Sequence, residues 1–189
     1  AFGPESLLTR LEDAETTAII TQKKHLPKVR AILKDMDYMK FVIVVDEVDP
    51  ARLRDREFIF DLKTCNKVES FDIYPSTAET PSVLHYTSGT TGTPKGVMLS
   101  HRNIHSNVMA CIPCFPPGQN SKALSFLPLN HIFEKMVSYI YLFNGTSIYY
   151  AESLETIGDN LKEVKPNMFT TVPRLLEKVY DRIMQKGNE

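Results

Sequence analysis

The sequence predicts an α/β fold, with a mostly parallel sheet and helices on both faces. Three observations carry this. Short β-branched or apolar runs alternate with helical patterns along most of the 189 residues. Phe41–Val45 (FVIVV) is almost wholly apolar, as in a strand covered on both faces. Ser, Gly and Pro residues stand at the joints, where they stop one element and start the next.

The elements follow in order. Leu7, Leu8 and Leu11 share one face of a short helix that Pro4 opens. Thr17–Thr21 (TAIIT) is a strand, Leu26, Val29, Ile32, Leu33 and Met36 recur at helical spacing, and Phe41–Val45 completes a βαβ unit. Residues 1–48 form this segment. Residues 49–82 differ: they are charged, carry Pro50, Pro75 and Pro81, and show no sustained period. They read as a variable connection with a helix near Arg52–Leu62.

Alternation resumes over residues 83–189. Val83–Thr87 and Gly96–Leu99 are strands around a Gly/Thr-rich loop, and Ser100 caps a helix reaching Ala110. Ala123–Leu127 is a strand and His131–Phe143 an apolar helix that Gly145 breaks. Thr146–Tyr150 is the next strand. Ser153 caps a helix with Leu154, Ile157, Leu161 and Val164 on one face. Lys165-Pro166 ends it before the strand Met168–Thr171, and Pro173 opens a last amphipathic helix.

A net charge of -1 removes the case for a general nucleic-acid binder, and no zinc-finger or aromatic-basic motif appears. The first dozen residues hold Glu5, Arg10 and Glu12, so no signal peptide is expected, and Met136–Ala151 is too short and interrupted to span a bilayer. The expectation is a cytoplasmic protein without a transmembrane segment, with peripheral membrane contact left open. Three cysteines argue against a disulfide framework, and Cys111-x-x-Cys114 lacks the second pair that a zinc site needs. His101 and His105 lie four apart on a helix with no third ligand. No metal site is assigned.

Tyr86-Thr87-Ser88-Gly89-Thr90-Thr91-Gly92-Thr93-Pro94-Lys95-Gly96 stands apart. Three of the eight glycines fall here, among five Ser and Thr hydroxyls and one lysine. Glycine lets backbone N–H groups approach an anion closely, hydroxyls donate without bulk, and lysine brings a compact positive charge. Composition alone would equally suit a polar surface loop. The apolar strand before it, and Pro94-Lys95 in fixed order, favour a built phosphate site. It is neither a Walker A loop nor a dinucleotide G-x-G-x-x-G.

TSGTTGTPKG resembles the phosphate-loop signature of the adenylate-forming superfamily at every defining position. Leu127-Pro128-Leu129-Asn130-His131-Ile132-Phe133-Glu134 resembles that family's second signature, beside the acyl pocket. Val172-Pro173-Arg174-Leu175-Leu176-Glu177-Lys178-Val179-Tyr180 is similar to a segment of long-chain fatty acid–CoA ligases. The resemblance covers Val83 to about Ile183 and, more weakly, Gly3–Val45.

It implies part of the amino-terminal domain of a fatty acid–CoA ligase using ATP, Mg²⁺ and coenzyme A. Thr87 to Gly96 would bind the ATP phosphates, and His131, Ile132 and Phe133 would border the acyl pocket. A fatty acid carboxylate would attack the α-phosphate to give acyl-AMP and pyrophosphate, and the thiol of coenzyme A would then displace AMP. No catalytic residue is assigned. His131 needs no general-base role, because a carboxylate is already deprotonated at neutral pH. The family's aromatic-Gly-x-Thr-Glu and Thr-Gly-Asp segments and its mobile carboxy-terminal domain are not found. The expectation is therefore a fragment, inactive by itself, of a larger enzyme. The alternative is a non-catalytic nucleotide- or partner-binding module that keeps only the phosphate loop.

Overall fold

The computed structural model describes residues 2–61, 70–88, 94–115, 118 and 120–187. The chain divides into two compact units, Ala1–Leu99 and Ser100–Glu189.

The first unit opens with helix α1 (Pro4–Asp13), which has proline in its first turn as the sequence requires. Strands β1 (Ala18–Thr21), β2 (Phe41–Val44) and β3 (Glu57–Ile59) form a parallel sheet in that order, and helix α2 (Leu26–Ile32) connects the first two. Leu26, Val29 and Ile32 from α2 bury with Met36, Met39, Val42 and Val44, and Leu7, Leu8 and Leu11 of α1 pack on this cluster. A fully buried aliphatic side chain is worth about 1.5–3 kcal/mol, so this face holds the unit together.

The opposite face stays open among the described residues. Ile20, Phe41 and Phe58 point away from the helices and are exposed, so the apolar run of β2 is deeply buried on one face only.

The helix expected over Arg52–Leu62 is replaced by a short 3₁₀ turn (Pro50–Arg52) and β3. Arg56, at φ 67°, cannot continue a helix, and its guanidinium donates to the carbonyls of Met36 and Met39. The edge of β2 then captures the next residues, as Val42 N–H donates to Arg56 O and Phe60 N–H to Val44 O. Residues 62–69 lie outside the described set, Cys65 among them. Strands β4 (Pro81–Ser88) and β5 (Pro94–Ser100) pair with each other as a separate two-stranded sheet. Only five residues join them, too few for a parallel crossover, so they run antiparallel.

In the second unit, Ser100 caps helix α3 (His101–Cys111) through a reciprocal capping box with Asn103. Strands β6 (Lys122–Ser125), β7 (Ser147–Tyr150) and β8 (Met168–Phe169) form a parallel sheet in the order β7-β6-β8. Helix α4 (Ile132–Phe143) covers one face, with Val137 and Tyr141 packed on Ala123. Helix α5 (Ile157–Val164) also packs on β6, whose Leu124 is buried on the other face.

Helix α5 starts later than expected. Ser153 caps a tight turn instead, taking the N–H of Thr156, and Leu154 is left exposed. Helix α6 (Pro173–Gly187) is last. No helix among the described residues is long and apolar enough to cross a membrane.

Candidate active site

The predicted phosphate loop is the chain between the paired strands β4 and β5. Thr87 is exposed near the end of β4, and Lys95 is exposed near the start of β5, with Pro94 half-buried before it. Strand pairing thus holds the two ends of the loop at sheet spacing, a rigid base for an anion site. Ser88 closes β4. Gly89, Thr90, Thr91, Gly92 and Thr93 lie outside the described residues.

Gly96 has a packing reason to be glycine. A Cβ there would come within 2.9 Å of Leu84 Cδ1 and 3.3 Å of Tyr86 Cε1. The strand therefore accepts the Tyr86 ring across the pair, two residues from the loop.

Tyr86 in turn ties β4 to α1. Its hydroxyl donates to Asp13 Oδ2 at 2.5 Å. Arg10 stacks its guanidinium over the Phe2 ring at 3.9 Å and lies 5.9 Å from the Tyr86 ring. Burial, then the bond to Asp13, pushes the Tyr86 hydroxyl up to about 12, so the proton that makes this bond stays in place through the physiological range. These two residues lie 73 positions apart, and no local pattern announces their contact.

The second predicted group lies in the other unit. His131 is exposed at the N-cap of α4, its N–H donating to Pro128 O and its carbonyl accepting from Lys135 N. Ile132 and Phe133 follow in the first turn, 37% and 50% exposed. All three sit beyond the carboxyl end of β6, the side of an open parallel sheet where ligands bind. Further along the helix, Val137 and Ile140 are buried in the unit's own packing and Phe143 is exposed.

Glu134 is the residue that sequence reasoning passed over. It is completely buried, accepting from Ser125 Oγ at 2.5 Å and from Thr170 Oγ1 at 3.1 Å. The signal was present: a carboxylate three residues before Val137 and seven before Tyr141, on the face of a helix that turns inward. Tyr141 is also fully buried, and its hydroxyl is held above the ordinary phenol value, first by burial and then by the nearby Glu134 charge. Thr170 lies close to that hydroxyl, but the pair does not reach hydrogen-bond geometry.

Cys111 and Cys114 are free thiols, and His101 and His105 are exposed, with His105 edge-on to Phe143 at 6.1 Å between ring centres. No group of three or more His, Cys, Asp or Glu gathers to hold a metal among the described residues.

The chain is 32% identical over 201 residues to long-chain-fatty-acid–CoA ligase 5 of Rattus norvegicus, which covers 98% of this chain and 29% of the relative. It is 39% identical over 119 residues to human long-chain-fatty-acid–CoA ligase 1, across 60% of this chain and 17% of the relative.

In structure it is similar to the adenylation and carrier didomain of a carboxylic acid reductase from Segniliparus rugosus, at TM-score 0.82 and 21% identity, covering 98% of this chain and 29% of that one. The putative long-chain-fatty-acid CoA ligase of Rhodopseudomonas palustris aligns at TM-score 0.80 and 14% identity over 95% of this chain and 44% of that one. These two likenesses concern the fold. The chain thus spans under a third of the length of the first of these ligases. The AMP-binding enzyme model matches residues 1–189 from end to end, and the chain belongs to that family.

Proposed function

We propose that this chain is part of an ATP-dependent fatty acid–CoA ligase and contributes its phosphate-gripping loop and one wall of its acyl pocket. The observation that carries this reading is the TSGTTGTPKG sequence between two paired strands, with Thr87 and Lys95 exposed on those strands. Similarity to long-chain ligases along 98% of the chain supports the choice of a fatty acid over other carboxylates. Residues 1–48, 49–82 and 83–189 would serve as the βαβ segment, the variable connection and the loop-bearing subdomain.

In this reading the loop acts on the leaving group. Backbone N–H groups and the hydroxyls of Thr87 to Thr93 hold the β- and γ-phosphates, and Lys95 meets the negative charge that grows as the α–β phosphate bond breaks. The fatty acid attacks as its carboxylate, so no residue removes a proton from it. His131, Ile132 and Phe133 shape the space for its acyl chain. Coenzyme A accepts the acyl group in the second step. Mg²⁺ is the expected counter-ion of ATP; the described residues offer it no acidic cluster, and the steps assigned to this chain run through its own groups.

The test is pyrophosphate release by the full-length enzyme with ATP and a panel of fatty acids, with coenzyme A ester formation measured separately. The reading predicts release that depends on the fatty acid and ester formation that depends on coenzyme A. ATP binding with neither product would favour the non-catalytic nucleotide-binding module instead.

A further inference from the structure

The pairing of β6 with β8 stops at Leu124↔Phe169, the last register pair at the carboxyl end of both strands. The next residues in that register are Ser125 and Thr170. Side chains alternate across a strand, so both face the side that carries Ala123 and Met168, which α4 covers. Glu134 enters this space from the first turn of α4 and gives one oxygen to each: Oε1 accepts from Ser125 and Oε2 from Thr170. The carboxylate thus continues the tie between the strands one step beyond the backbone ladder.

Stability alone gives no reason for an acid here. A fully buried carboxylate held by two neutral hydroxyls is costly to desolvate, and an apolar residue of similar size would suit the surrounding Val137 and Ala123 better. The cost is compounded nearby, where Ser138 Oγ and Tyr141 Oη, on the same helix face, are buried without a hydrogen-bond partner among the described residues. What the carboxylate does provide is geometric. Segment 126–131 leaves from Ser125 and the segment after β8 leaves from Thr170, while Ile132 and Phe133 sit on the turn that Glu134 anchors.

We propose that Glu134 is a positioning residue of the acyl site, because its buried carboxylate bridges Ser125 at the end of β6 and Thr170 beyond β8. It thereby fixes the first turn of α4 so that Ile132 and Phe133 face the substrate. This rests on the reading of His131, Ile132 and Phe133 as acyl-pocket residues.

The experiment uses the full-length enzyme with Glu134→Gln and Thr170→Val, and Glu134→Asp as the conservative variant. Loss of a hydrogen bond to a charged group should raise KM for the fatty acid about tenfold in Glu134→Gln, and less in Thr170→Val, with KM for ATP nearly unchanged. Glu134→Asp should recover part of the loss. Should Glu134→Gln fail to fold, Thr170→Val, which removes one donor at constant shape, decides the matter.

Hydrogen–deuterium exchange on the same proteins reads the tie independently of turnover. Residues 126–133 and residues 171–176 should exchange faster together. A fall in melting temperature with fatty-acid KM unmoved, or faster exchange in the helix turn alone, overturns the proposal. A wild-type enzyme that releases no pyrophosphate with any fatty acid overturns the functional reading instead, and the exchange data still decide whether Glu134 couples the two segments.

Discussion

Glu57 binds Arg30 through both oxygens, at 2.7 Å to Nε and 2.6 Å to Nη2, and also accepts the N–H of Arg54 at 3.0 Å. Its side chain is fully buried, and that of Arg30 is 22% exposed. The hydrogen bond from Arg30 is the main reason that its carboxyl lies below the ordinary value of 4.5, with burial working against it. A depressed value favours the charged, folded form. The stabilisation is therefore complete above the unfolded carboxyl value and is lost as pH falls through the lower folded one. Glu57→Ala leaves Arg30 without its partner and should cost about 3–5 kcal/mol in urea unfolding at pH 7. It should also flatten the loss of stability below about pH 4.3. A loss under about 1 kcal/mol, the range of an exposed pair, would show that the contact is not a buried ion pair in solution. None of this was legible in the sequence. Arg30 and Glu57 lie 27 positions apart, and their meeting depends on β3 pairing with β2. Tyr86 and Asp13 are a second case, because a strand cannot announce which helix it will lean on.

Among the elements, α4 was read well, and its ends explain why. Asn144 and Gly145 follow Phe143, and Gly145 takes φ 72°, the left-handed region open to glycine. Gly145 N–H then donates to Leu142 O and Thr146 N–H to Tyr141 O, the two bonds of a Schellman motif. Gly145→Ala should lower stability by about 1 kcal/mol, since alanine pays for a left-handed backbone that glycine adopts freely. Unchanged thermal unfolding would mean that the motif relaxes at no cost. Strands and helices with such local punctuation were legible: α3 behind Ser100, α6 behind Pro173, and β4 and β5 around the glycine-rich loop. Two elements were misread because the decisive contact was not local. The segment after Arg52 became a strand because the edge of β2 was available to pair. Ser153 spends its hydroxyl on the N–H of Thr156, so the helix begins only after Thr156, whose own side chain bonds Asn160 and caps no N–H of the helix. Side-chain burial on β2 was overstated for a similar reason, since an apolar run records what a strand can cover and not what lies against it.

At the scale of the molecule, the candidate groups divide between two compact units. Thr87, Pro94, Lys95 and Gly96 belong to the first, and His131, Ile132 and Phe133 to the second. The phosphate signature was legible because its chemistry is carried by residue types in one continuous stretch. The inward helical position of Glu134 was legible too, but its bridge was not, because that depends on two strand ends brought together by the sheet. The central claim is that the loop stabilises departing pyrophosphate, and Lys95 isolates it, since its charge matters most while that bond breaks. The direct measurement is the rate of each half-reaction in full-length Lys95→Ala enzyme: acyl-AMP formation from ATP and fatty acid, and thioester formation from preformed acyl-AMP. Adenylation should fall roughly 10–1000-fold, as on loss of one electrostatic donor, while thioester formation stays nearly unchanged because pyrophosphate has already left. Equal damage to both half-reactions in a well-folded variant, or no damage to either, would contradict the account.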